Sequence, residues 1–287
     1  MNKVKLWLLV ATRPKTLIAS ISPVTIGTIL ALKEGFFHPI TFFCTLFAAL
    51  CVQIGSNLSN DYFDFLKGAD TENRKGPIRM TQSGQISQRS MRKAIGIAFF
   101  IAIVFSIPLI WSGGIPFASL LALYILLSII YTAGPFPIAY LGLGDLFVLI
   151  FYGPVAVLFT YYLQTSSFAL KPFIAGLAPG ALSTAILLMN NLRDVQEDAE
   201  AKKKTLIVRF GMGFGKIEYL FVISLAALTP FLIQPRLLFA DLSLIIAFPL
   251  IAANFSKKEP RTFDQGLKKH ALILVIYTLL FSVLSLI

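Results

Sequence analysis

The chain has 287 residues, 56% of them hydrophobic and only 14% charged, with a mean hydropathy of +0.78. A soluble domain carries roughly 25% charged residues, and no hydrophilic stretch here is long enough to form one, so residues 1–287 read as a single integral membrane domain. The net charge of +11 does not point to nucleic acid, because the lysines and arginines lie in short loops between apolar runs rather than among aromatics on one element.

Crossing a bilayer takes about 20 apolar residues in a helix, and runs near that length predict an all-α, polytopic protein of nine transmembrane helices. At the N-terminus the run Trp7 to Ala11 is interrupted by Arg13 and Lys15, too short for a cleaved signal peptide. The predicted spans are 16–32, 39–59, 94–111, 116–133, 143–162, 172–190, 217–233, 237–254 and 271–287. Cys44 and Cys51, the only cysteines, share the second span, which argues against a disulfide framework or a thiolate metal site. Between spans four and five the loop 134–142 carries no basic residue; it reads as a tight connection or as a short lid over a cavity mouth. The run 237–254 holds Asp241 and Pro249 and is the least regular of the nine.

Orientation follows from the basic residues. With the N-terminus in the cytoplasm, all of the 25 lysines and arginines except Lys33, Lys171 and Arg236 fall in cytoplasmic segments, as the positive-inside rule requires. A missed or extra span would scramble alternate loops. The expectation is a cytoplasmic-membrane protein with its N-terminus inside and C-terminus outside.

Two acidic patterns carry the chemistry. The second span runs into Gln53, Asn57, Asn60, Asp61 and Asp64, which recur three and four residues apart and so share a helical face. Polar side chains near membrane depth normally face a bundle interior or a wet cavity. Two carboxylates on one face repel each other, and a divalent cation relieves that; oxygen ligands of this kind suit Mg²⁺. The alternative is an ordinary helix end emerging into water. A second copy favours the ion site: the sixth span ends in Asn190, Asn191, Arg193, Asp194 and Asp198, and Asn190 precedes Asp194 by four as Asn57 precedes Asp61. Both offsets between copies are 133 residues, which suggests an internal four-helix repeat with two ion-binding half-sites at one membrane face. Mg²⁺ commonly completes its shell with phosphate oxygens, so a diphosphate fits. Lys67, Arg74, Lys75 and Arg79 follow the first cluster, and Lys202, Lys203 and Lys204 the second; they either neutralise phosphate charge or simply obey the topology.

In its motifs the sequence resembles the UbiA superfamily of intramembrane prenyltransferases, and more narrowly the 1,4-dihydroxy-2-naphthoate polyprenyltransferases of menaquinone synthesis. The resemblance spans nearly the whole chain. It rests on Arg13-Pro14-Lys15-Thr16-Leu17, Ser56-Asn57-Leu58-Ser59-Asn60-Asp61 with Lys67-Gly68-Ala69-Asp70, and Arg74-Lys75-Gly76-Pro77. It continues through Tyr131-Thr132, Leu141-Gly142-Leu143-Gly144-Asp145, Asn190-Asn191-Leu192-Arg193-Asp194 and Thr205-Leu206-Ile207-Val208-Arg209. The resemblance implies nine helices around a central cavity that opens sideways to lipid for an isoprenoid tail. It implies Mg²⁺ ligands at Asn60, Asp61, Asp64, Asp194 and Asp198, with Asp70 as a further acid of the first motif. It also implies that a polyprenyl diphosphate and an aromatic acid acceptor, dihydroxynaphthoate, meet at the cytoplasmic face and that the ring carboxylate leaves as CO₂. Many relatives place a lysine four residues after the tyrosine matched by Tyr131; here that position is Pro135, so Arg79 or Lys204 takes the role or the contact is missing. Arg13 reads as an attractor of the acceptor carboxylate or as an interfacial anchor, and Asp145 as a partner of acceptor hydroxyls or as a cap on span five. Another acceptor, such as 4-hydroxybenzoate, is the alternative within this class. A secondary transporter is the distant alternative outside it, since transporter sites lie near the bilayer midplane and these acids lie at helix ends.

Overall fold

The computed structural model describes residues 7, 11–69, 76, 78–247 and 260–287, and its regular elements among them are helical. Asp70, Arg74 and Lys75 lie outside the described residues. After a short 3₁₀ turn at Pro14–Thr16 come α1 (Ile18–Lys33) and α2 (Pro39–Leu66). The long α3 (Gln88–Ile130) follows, then the pair α4 (Gly144–Phe151) and α5 (Pro154–Thr165) and the pair α6 (Leu170–Ala175) and α7 (Leu177–Arg193). The short α8 (Val195–Glu200), α9 (Leu206–Ile233) and α10 (Pro260–Leu286) complete the order.

Local sequence explains the boundaries. Pro39 opens α2 at a position whose N–H has no helical partner. The Ser87 side chain caps α3 by accepting from the Ser90 N–H at 3.2 Å, and Thr205 caps α9 by accepting from the Val208 N–H at 3.3 Å. A continuous helix as long as α3, 43 residues, would extend roughly 65 Å, about twice the hydrocarbon thickness. It is not continuous: Gly114 adopts φ 61, ψ −156, a conformation open to glycine, and Pro116 follows. Leu109 and Phe117, one on each arm, pack together with Leu163 of α5. The arms correspond to the predicted third and fourth spans.

Among the described residues seven helices are long and apolar enough to cross a membrane. Counting both arms of α3, they account for eight of the nine expected spans. The remaining one, 237–254, departs from expectation: Pro235–Ala247 is wound as 3₁₀ helix, and 248–254 lies outside the described residues. Asp241 falls in this stretch.

The bundle is arranged around α7. In the most apolar stretch of Leu170–Arg193 78% of the residues are buried, against 28% in that of α3, and Ala178, Ala181, Leu182, Ala185, Leu188 and Met189 of α7 form the centre of the largest apolar cluster with α1, α9 and α10. The outer helices turn large apolar side chains outward, among them Phe100, Ile107, Ile115 and Phe221, with Trp111 93% exposed. Such a surface is stable only against lipid. This is a multi-pass membrane protein.

The candidate functional site

The C-terminal ends of α2 and α7 open into one cavity of about 690 Å³. Of the residues expected from sequence, Arg13, Asn60, Asp61, Asp64, Arg79, Tyr131, Asp145, Asn190, Asn191, Asp194 and Asp198 line it. Seven carboxylates and six cations among the described residues face this space, so charges of both signs are available to a bound anion and its counter-ions.

In the first cluster, Asp61 and Asp64 lie within α2 one turn apart and are both buried. Asp61 fastens the loop after it: Oδ2 accepts from the Met80 N–H at 2.9 Å, and Oδ1 accepts from the Thr81 N–H at 3.0 Å and the Thr81 hydroxyl at 2.6 Å. Asp64 pairs with Arg79 of that loop at 3.4 Å and accepts from the Tyr140 hydroxyl at 3.0 Å. The Asn60 amide oxygen accepts from the Thr132 hydroxyl.

The second cluster differs in local geometry. Helix α7 ends at Arg193, and Asp194 is the hinge into α8, yet the Asp198 N–H donates to the Asp194 carbonyl at 2.8 Å, so the two acids stay one helical turn apart. Arg193 grips both Asp194 oxygens, at 2.6 and 2.7 Å, and reaches Asp264 of α10 at 2.7 Å. Asp198 pairs with Lys203 at 3.4 Å. Burial pushes the Asp198 carboxyl up to about 6; Lys203 opposes the shift, while the neighbouring negative charges of Asp194 and Asp64 reinforce it. The two clusters therefore sense each other across the cavity.

Between them runs the loop after α3. It is a connection fastened to both acidic loops. Lys67 donates to the Gly134 carbonyl at 3.0 Å and lies 4.5 Å over the Tyr140 ring, with Lys203 5.9 Å from the same ring. The Lys204 N–H donates to the Tyr140 carbonyl at 3.1 Å, and Arg209 to the Leu141 carbonyl at 2.9 Å. Glycines make the closeness possible. Gly142 has φ +73, and a Cβ there would come within 2.6 Å of the Lys204 carbonyl; one at Gly144 would meet the Tyr131 hydroxyl at 2.8 Å.

Several expected residues sit elsewhere. Asn57 does not reach Asp61; its amide donates to the Thr12 carbonyl at 3.0 Å and the Thr16 hydroxyl at 3.1 Å and ties the N-terminal segment to α2. Asn190 lines the cavity, so the two repeat asparagines have different surroundings. Lys67 and Lys204 are not among the residues that line the cavity; of the three lysines after the second cluster, Lys203 lines it. Partial burial lowers the Lys67 pKa, with Asp64 opposing. Asp145 lies in the first turn of α4, whose N-cap is Leu143, and its carboxylate accepts from the Asn191 amide at 3.1 and 3.4 Å. The sequence reading missed Tyr140 and Asp264, whose roles come from distant pairings.

A second, smaller cavity of about 100 Å³ lies inside the bundle, walled by apolar side chains of α1 to α5 including Val24, Val52, Leu109, Phe117 and Leu121. Its polar members include Gln53, which accepts from Ser20 at 3.4 Å and from Tyr152.

The helical membrane bundle brings two acidic helix ends to one charged cavity, and the chain belongs to the UbiA prenyltransferase family, whose profile matches residues 20–273. The chain is 35% identical to the 1,4-dihydroxy-2-naphthoate octaprenyltransferase of Haemophilus influenzae over 98% of this chain and 96% of that protein. It is 38% identical to the Escherichia coli protein of the same description, over 73% of this chain and 70% of that one. Among solved structures, a UbiA homolog from Aeropyrum pernix aligns over 92% of this chain and 97% of its own with a TM-score of 0.71 and 12% identity. A UbiA homolog from Archaeoglobus fulgidus bound to GPP and Mg²⁺ aligns over 98% and 100%, with a TM-score of 0.61 and 16% identity.

Proposed function

We propose that this protein transfers a polyprenyl group from its diphosphate to 1,4-dihydroxy-2-naphthoate with loss of CO₂, the step toward demethylmenaquinone in menaquinone biosynthesis. The observation that carries this reading is the convergence of Asp61, Asp64, Asp194 and Asp198 on one cavity in a chain whose relatives bear that activity in their descriptions. The residues present fit Mg²⁺. Their donors are oxygens, which suits a cation that usually takes one or two carboxylates plus substrate phosphate oxygens. Asn60, Asp61 and Asp64 on one side and Asp194 and Asp198 on the other would hold it, with Asp70 a further candidate beyond the described residues. When bound, Mg²⁺ makes the diphosphate a better leaving group as a Lewis acid.

The chain's own residues supply the rest. Arg79 and Lys203, which both line the cavity, offer cations to the diphosphate, and Arg74 and Lys75 belong to the same basic segment. Arg13, which lines the cavity, attracts the acceptor carboxylate, while Asp145, held by Asn191, and Tyr131 orient the ring hydroxyls. The allylic C–O bond breaks with its electron pair leaving on the diphosphate, the ring carbon that bears the carboxylate forms the new C–C bond, and the carboxylate departs as CO₂, leaving its electron pair to the ring. The apolar inner cavity takes the first part of the isoprenoid chain and keeps water from the allylic centre. The site faces the cytoplasm, with the N-terminus inside.

The test is purified protein with Mg²⁺, one prenyl diphosphate, and 1,4-dihydroxy-2-naphthoate or 4-hydroxybenzoate, read by mass spectrometry. A prenylated, decarboxylated naphthalene product is expected; prenylation of 4-hydroxybenzoate alone would replace the acceptor, and no transfer to any aromatic acid would defeat the reading.

A further inference from the structure

Arg193 is a heavily committed cation of the cavity. Its side chain is 4% exposed, yet it serves two acids: a bidentate fork onto Asp194 and a single 2.7 Å bond from Nη1 to Asp264 Oδ1. A planar guanidinium held by three bonds cannot rotate, so it fixes the plane of the carboxylate it grips. Asp264 reaches the site from α10, 71 residues further along the chain. Its side chain is 41% exposed against 11% for Asp194, so it is the wetter end of the triad.

The charge arithmetic gives Asp264 a purpose. Arg193 with Asp194 alone is a neutral pair, and a neutral pair draws a divalent cation weakly. Adding Asp264 leaves the triad with one net negative charge beside Asp198. Sharing the guanidinium also divides its pull between two acids, which leaves Asp194 able to accept a further cation.

We infer that Asp264 is a positioning residue of the second acidic half-site, acting through Arg193 to orient Asp194 and keep it negative enough to hold a metal-bound diphosphate. This rests on the prenyl-transfer reading above.

The test uses purified full-length protein with Mn²⁺ and an unreactive prenyl thiodiphosphate, and follows cation uptake by electron paramagnetic resonance alongside thermal unfolding. Asp264→Asn should raise the Mn²⁺ concentration for half-filling about 10–100-fold, the range typical for loss of a group that orients a metal ligand, with the unfolding temperature unchanged. Asp264→Glu should recover most of the loss. Arg193→Lys keeps the charge but breaks the fork and should shift uptake in the same direction; adding Asp264→Asn to it should cost little more, because both act on one carboxylate. If Asp264→Asn fails to fold, Arg193→Lys and Asp264→Glu still decide. Mn²⁺ uptake by Asp264→Asn equal to that of wild type, or a full additional loss in the double variant, would overturn the inference alone. No uptake by the wild type would overturn the metal reading and this inference with it.

Discussion

Thr81→Val isolates what Asp61 does to its loop from what it does to a cation. The wild-type carboxylate receives three donors from residues 80 and 81, the shortest being the Thr81 hydroxyl at 2.6 Å. Valine keeps the shape and both backbone N–H bonds and removes only that hydroxyl. A hydrogen bond to a charged group contributes about 1.5–3 kcal/mol, so the docked loop loses about 10- to 150-fold in its equilibrium against the undocked one. Arg79 rides on this loop, so the loss should fall on the prenyl diphosphate: its KM should rise about 10-fold while kcat stays within about 2-fold, the pattern of lost uniform binding. Thr81→Ser should behave as wild type. Initial rates against donor concentration, together with trypsin cleavage after Arg79 in the substrate-free protein, make the measurement. Wild-type KM and wild-type protease resistance in Thr81→Val would refute the anchoring role of Asp61.

Asp194→Ala should abolish transfer while leaving the protein inserted and folded, since one half-site cannot clamp the diphosphate alone; near-wild-type activity would remove Asp194 from the site. Asp198, raised from 3.8 to about 6, binds its proton more tightly folded than unfolded, so its contribution to stability is full below about pH 4 and is lost as pH rises through 6. That loss amounts to about 3 kcal/mol at most, and thermal unfolding in chelator between pH 4.5 and 7 should show it, flattened in Asp198→Asn. Single cysteines replacing Ser83 and Lys202 should label only from the cytoplasmic side and one replacing Gln234 only from the other; labelling of the first two from opposite faces would contradict a shared site.

Much of this architecture is legible in the sequence because lipid imposes a simple pattern. Apolar runs marked both arms of α3, and the three- and four-residue spacing of Asn60, Asp61 and Asp64 put them on one helical face; all three line the cavity. The same arithmetic overreached at Asn57. It does neighbour Gln53 on α2, at 3.5 Å, but a helix face that carries acids into the cavity at one end packs against the N-terminal turn a helical turn earlier. Lys203 and Lys204 could not be told apart, since an irregular loop has no repeating period to say which of two consecutive residues lines the cavity. The Arg193–Asp264 and Tyr140–Asp64 pairs join residues 71 and 76 positions apart, and nothing local foreshadows them.

The loop 134–142 touches both acidic loops through backbone carbonyls and one tyrosine, and this separates two problems that a prenyltransferase must solve. The span between the half-sites is set at the polar end by Lys67, Tyr140, Lys204 and Arg209, independently of the apolar wall formed by residues such as Val24, Val52 and Phe117. Under the proposed reaction, head-group recognition is a fixed gauge and tail accommodation an adjustable one. Substitutions lining the inner cavity can then retune the acceptable isoprenoid length without disturbing the diphosphate chemistry, and homologous enzymes can diverge in tail preference while keeping one reaction.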